Sequence, residues 1–97
     1  EHRIKGTKYY ADGYCKENNT IYEFHGTFWH GHPDYYDEDD VNSINGLTFG
    51  ELYRKTLERE KIIENLGYNL VVMWQHDWIE LKKTLPVVIT YKLKFYD

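Results

Sequence analysis

The spacing of apolar and polar positions changes several times along the chain, and each change marks an element. From Ile4 to Cys15 the residues are rich in Tyr and Thr and read as a strand in two short pieces, kinked at Gly6. A turn over Lys16-Glu17-Asn18-Asn19 follows, because Asn tolerates the left-handed backbone region. Thr20 to His25 is the returning strand. Gly26 through Gly46 shows little periodicity and holds Pro33, an acidic run and Asn42-Ser43-Ile44-Asn45-Gly46. A loop of that length in a small domain is more often functional or partly disordered than passive.

A helix is predicted from Thr48. Thr48 and Glu51 have capping-box spacing, and Leu47 with Leu52 matches a hydrophobic staple. Phe49, Leu52, Tyr53, Thr56, Leu57, Glu60, Ile63 and Leu66 trace a mostly apolar stripe at helical spacing, and Gly67 is a natural stop. Tyr68 to Trp74 then reads as a buried strand, parallel to its neighbour because a helix precedes it. Asp77 to Thr84 is a short helix ended before Pro86, and alternation across Val87 to Tyr96 predicts a C-terminal strand.

The order is β-hairpin, helix, strand, short helix, strand: an α/β fold with a small mixed sheet and flanking helices. The 97 residues suffice for one domain with a modest core. Because the chain begins at Glu1 without a methionine, it is expected to be excised from something longer. The longest apolar run is Leu70 to Trp74, far short of a membrane span, and the single cysteine, Cys15, excludes an internal disulfide framework and suits a reducing, intracellular compartment. The net charge of −4 argues weakly against nucleic acid, but Asp34, Asp37, Glu38, Asp39 and Asp40 carry five of the negative charges. Without that loop the rest of the chain is at +1, which leaves a nucleic-acid face open.

The candidate chemistry lies in Tyr22 to Pro33, YEFHGTFWHGHP. Glu23, His25, His30 and His32 are its groups able to hold a metal or move a proton at neutral pH. With the turn centred between Glu17 and Asn18, Asp12 lies across from Glu23, and opposed residues of an antiparallel pair share a face. His25 shares it too, because strand side chains alternate. Two carboxylates and an imidazole on one patch are a divalent-metal arrangement.

Strand, strand, helix, strand, with Asp12 on the first strand and Glu23-x-His25 on the second, resembles the PD-(D/E)XK nuclease core. HGTFWHGHP, a Thr-capped helix closed by LGY, and LVVMWQ are similar to the Vsr mismatch-endonuclease branch, whose members carry HGCFWH, an LGW-type helix end and a WEC-type strand end. The likeness runs from about Tyr9 to Trp78. It implies a restriction-endonuclease-like fold and a Mg²⁺-dependent DNA endonuclease, with Mn²⁺ as a substitute, of the kind found in homing or mobile elements, acting as a monomer or transient homodimer. It further implies that Asp12 and the Phe24 backbone carbonyl bind the metal, joined by Glu23 as in the wider superfamily. His25 would contact the scissile phosphate or stabilise charge on it, and His30 would be the base that activates water. Trp29, Phe28 and Tyr10 would stack on bases or wedge into the duplex, and Arg54 and Lys55 would reach phosphates. The family's structural zinc is bound by a Cys after HG, by ligands just after the FWH element and by the Cys of WEC, where this chain has Thr27, His32, Asp34 and His76; His32, Asp34 and His76 could still form a three-ligand site.

Each assignment has a plainer competitor. Asp12 before Gly13 is also turn chemistry, the aromatic cluster also reads as core, and Arg54, Lys55, Arg59 and Lys61 as a solvated helix face. Asp37 to Asp40 reads as a flexible solvated loop. The alternative function is a catalytically inactive DNA-binding relative or a zinc-stabilised interaction module.

Overall fold

The computed structural model describes residues 2–85. The strands are β1 (His2–Arg3), β2 (Tyr10–Ala11), β3 (Gly13–Cys15), β4 (Thr20–His25) and β5 (Asn69–Trp74); the helices are α1 (Phe49–Asn65) and α2 (Gln75–Lys82). The result is a small mixed α/β protein with one two-stranded and one three-stranded sheet. The C-terminal strand expected over Val87 to Tyr96 lies outside the described residues.

Hairpin β3–β4 has the expected register. Gly13 pairs with Tyr22 and Cys15 with Thr20, so continuing the register places Asp12 opposite Glu23. The Lys16–Asn19 turn closes through Asn19 N–H to the Lys16 carbonyl, with Asn19 in the left-handed region at φ 54°. The stretch before it differs from expectation. The chain does not kink at Gly6 but reverses there, and β1 pairs antiparallel with β2 in a separate ribbon. A glycine in a Tyr/Thr-rich run marks a bend and a full turn equally well; the cross-strand partners decide which.

Strand β5 lies parallel to β4, with Glu23 beside Val72 and His25 beside Trp74. It is less buried than the continuous apolar run predicts: Asn69 and Val71 are exposed, and among the described residues β5 has one strand neighbour. Helix α1 covers one face of it, so alternate side chains are left outward.

Helix α1 forms where its signals say. The Thr48 hydroxyl accepts the Glu51 N–H at 3.1 Å, and Gly67, at φ 95°, ends the helix beyond Leu66. Phe49, Leu52, Thr56 and Ile63 are its buried positions, whereas Leu57 and Leu66 of the predicted stripe are exposed. Ile63 joins Ile4, Ala11 and Ile21 in a small core, with Tyr9, Tyr14, Tyr68 and Leu70 packed around it. Helix α2 starts at Gln75, two residues before the predicted Asp77, directly off β5.

The long loop is anchored through its backbone. Buried Asn42 accepts the Ile44 N–H at 2.9 Å through Oδ1, and its own N–H donates to the Leu47 carbonyl at 2.8 Å. The carbonyls of Asp40 and Glu38 accept the N–H groups of Phe49 and Gly50, the first residues of α1. The acidic side chains are exposed, yet this segment caps a helix instead of trailing in solvent.

Gly31 fixes how closely the histidine-rich loop approaches α1. It has φ 63°, and a Cβ there would overlap the Phe49 carbonyl oxygen. Gly31→Ala combines left-handed strain with backbone overlap, so we expect a loss of at least about 2 kcal/mol in urea denaturation. Gly67→Ala, with open space around its Cβ, is expected to lose less.

Candidate active site

Strand β4 turns Glu23 and His25 inward and leaves Tyr22 exposed. Tight turns after it bring His30 back over His25, so that the two rings stack at 4.4 Å between centroids. At the other edge Asp12 occupies the bend between β2 and β3. A cavity of about 230 Å³ results, lined by Tyr10, Asp12, Glu23, Phe24, His25, His30 and Arg59. All four residues singled out from the sequence as catalytic thus reach one cavity, with Phe24 beside them.

Asp12, Glu23 and His30 each have a defined partner. The exposed Asp12 accepts the Phe24 N–H through Oδ2 at 2.7 Å, which ties the bend to β4 and leaves its other oxygen free. Glu23 is buried, and its Oε1 accepts from Arg59 Nε at 2.6 Å. Arg59 also donates through an Nη to the Tyr10 carbonyl at 2.6 Å and lies over the Tyr9 ring. Burying a carboxylate in this way is tolerable because a guanidinium meets it; removing one partner of such a pair costs about 3–5 kcal/mol.

The Thr56 Oγ1 stands 2.8 Å from His30 Nδ1 and 3.0 Å from the Leu52 carbonyl. A helical threonine gives its one proton to the carbonyl four residues back, so Oγ1 accepts from Nδ1–H. By this assignment His30 Nε2 keeps its lone pair, the form a base needs. Burial, then His25 and Arg59, lower the His30 pKa from 6.5 to about 4, against opposing pulls from Glu23 and Asp12. The imidazole is therefore neutral at pH 7.

His25 is the most enclosed of the four. It is 2% exposed, and its Nε2 is buried without a hydrogen-bond partner, 3.5 Å from Glu60 Oε2. That nitrogen faces helix α1. Burial and then Arg59 lower the His25 pKa, whereas burial and then Glu64 and Glu23 raise that of Glu60.

The expected zinc residues gather elsewhere. The rings of His32 and His76 lie 4.5 Å apart, and Trp74 and Tyr35 pack against both. His76 Nδ1 is bonded to the Thr27 hydroxyl at 2.8 Å, and His32 Nδ1 accepts the Asp34 N–H at 3.1 Å. The Asp34 carboxylate is 79% exposed and 4.0 Å from His32. Among the described residues no group of three or more His, Cys, Asp or Glu side chains is arranged around a metal position, here or in the cavity.

Of the expected DNA contacts, Trp29 and Tyr10 are half exposed. Phe28 is half-buried and packed edge-on against Trp29, Tyr36 and Phe49. Arg54 and Lys55 are exposed on α1 and do not line the cavity; the basic residue that does is Arg59. Arg59, Thr56 and Glu60 are what sequence reasoning missed as parts of the site. The available signal was that Thr56 and Glu60 are polar positions on an otherwise apolar stripe.

The depressed His30 pKa gives a signed stability effect. Between pH 6.5 and about 4 the unfolded chain binds a proton that folded His30 does not, so stability falls as pH is lowered through that window. His25 acts in the same direction, and Glu60, with its raised pKa, opposes both. We expect the urea midpoint to drop from pH 7 to pH 4.5 and the drop to be smaller in His30→Asn, whose amide can still donate to Thr56. No family model, no curated protein and no solved structure matches this chain.

Proposed function

We propose that the chain is a Mg²⁺-dependent DNA endonuclease domain of the Vsr-like, restriction-endonuclease-like type, hydrolysing a phosphodiester with water. One observation carries the reading: Asp12, Glu23, His25 and His30, from a bend, a strand and a loop, line a single cavity. The antiparallel hairpin, helical crossover and parallel strand are compatible with that core.

The donor chemistry fits a hard cation. Mg²⁺ takes one or two carboxylates and keeps several waters, and Asp12 has a free carboxylate oxygen at the cavity. Asp12 would hold the ion, with Glu23 and the Phe24 carbonyl as the further oxygen donors. When bound, the ion supplies Lewis acidity toward the phosphate. The chain's own residues do the rest. His30, neutral and oriented by Thr56, takes a proton from water at Nε2. Arg59 places positive charge at the cavity wall, and Trp29 and Tyr10 offer exposed rings on which bases stack.

A second reading, a DNA-binding relative without catalysis, is favoured by one fact: a guanidinium already compensates Glu23. Plasmid nicking separates the two. The nuclease reading expects nicking with Mg²⁺ that EDTA abolishes, and a loss of about 10²–10⁴-fold in His30→Ala. It expects no nicking by Asp12→Asn. Metal-independent DNA binding with no cleavage in Mg²⁺ or Mn²⁺ would select the binding module.

A further inference from the structure

Helix α1 presents three polar side chains to the site at positions 56, 59 and 60, spacings that share one helix face. Thr56 holds His30, and Arg59 holds Glu23. Glu60, the third, has Oε2 3.5 Å from the buried His25 Nε2, which has no hydrogen-bond partner of its own. We propose that Glu60 is a positioning residue of this site: it accepts from His25 Nε2–H and so fixes the ring against which His30 stacks.

Several features converge on this. The His25 ring is nearly inaccessible, so water cannot serve Nε2. The Glu60 side chain is 21% exposed and can move inward by a side-chain rotation without disturbing the backbone. Which nitrogen of an imidazole carries the proton is set by the partner of the other. Glu60 Oε2 is the acceptor that faces Nε2, so it draws the proton of the neutral ring to that nitrogen. The His25 and His30 rings lie 4.4 Å apart at an interplanar angle of 30°, and Trp74 meets both edge-on, so a turn of one ring displaces the other. The cavity side of His30 is thereby held from two directions, by Thr56 at Nδ1 and by His25 at its face.

The inference rests on the nuclease reading for its catalytic consequence but not for its structural test. The first readout is the ¹⁵N spectrum of the histidine rings of the metal-free protein near pH 8, in wild type, Glu60→Gln and Glu60→Ala. Wild type is expected to show His25 protonated at Nε2. Glu60→Ala is expected to move that proton toward Nδ1 and to shift the His30 ring signals, with His2 unchanged. Glu60→Gln keeps an acceptor oxygen in place and is expected to retain the wild-type pattern. An unchanged His25 pattern in Glu60→Ala overturns the proposal, as does a wild type already protonated at Nδ1. Should Glu60→Ala fail to fold, Glu64→Ala and Glu60→Lys keep the comparison: the first must leave His25 unmoved, and the second must not.

The second readout is nicking. Glu60→Ala is expected to lower kcat about ten- to a hundredfold with little change in KM, and Glu60→Gln to restore most of it. A wild type that does not nick removes the nuclease reading while the ring spectra still decide the role of Glu60.

Discussion

The buried carboxylate of Glu23 demands a cation, and Arg59 of α1 supplies it at 2.6 Å. Much of the site follows from that demand. A strand that turns a glutamate and a histidine toward the interior cannot pack against an ordinary apolar helix, because unpaired buried polar groups are costly. Helix α1 meets it with a mixed face: Leu52 and Ile63 bury apolar surface, and between them Thr56, Arg59 and Glu60 face the polar groups. The helix register is therefore set by electrostatics as well as by the core. Thr48, the loop carbonyls and Gly31 fix where the helix begins and how near the loop comes, and so where these three side chains fall.

Local signals made much of this legible beforehand. The Asn18-Asn19 turn set the hairpin register, and with it the meeting of Asp12 and Glu23; the Thr48 cap and Gly67 bounded the helix. What was hidden depends on contacts distant in sequence. Arg59 reads as one more solvated helix charge until β4 is laid against it, 36 residues away. Gly6 reads as a kink because the pairing of His2 with Ala11 leaves no periodic trace in two-residue strands. The burial of His25 was likewise unreadable, since alternation says which face a side chain takes but not what covers that face. The hydrogen bond that orients His30 also needed both its loop and Thr56 of the helix to be placed.

The His32–His76 region shows a different use of the same residue type. Its imidazoles have their Nδ1 atoms engaged by Thr27 and by the Asp34 amide, and their rings meet Trp74 and Tyr35. Ring contacts and hydrogen bonds join the loop to the start of α2. The two histidine pairs thus differ in kind: His25 and His30 line a cavity, whereas His32 and His76 knit two segments together.

The acidic loop separates geometry from charge. Its backbone carbonyls complete the first turn of α1, while its carboxylates stand in solvent. Asp37 is the exception, because its Oδ1 accepts the Asp39 N–H and shapes the loop. Substituting Glu38, Asp39 or Asp40 leaves the helix start where it is and changes the field around the molecule. Attraction to a polyanion, and its sensitivity to salt, can therefore drift over generations without any atom of the cavity having to move.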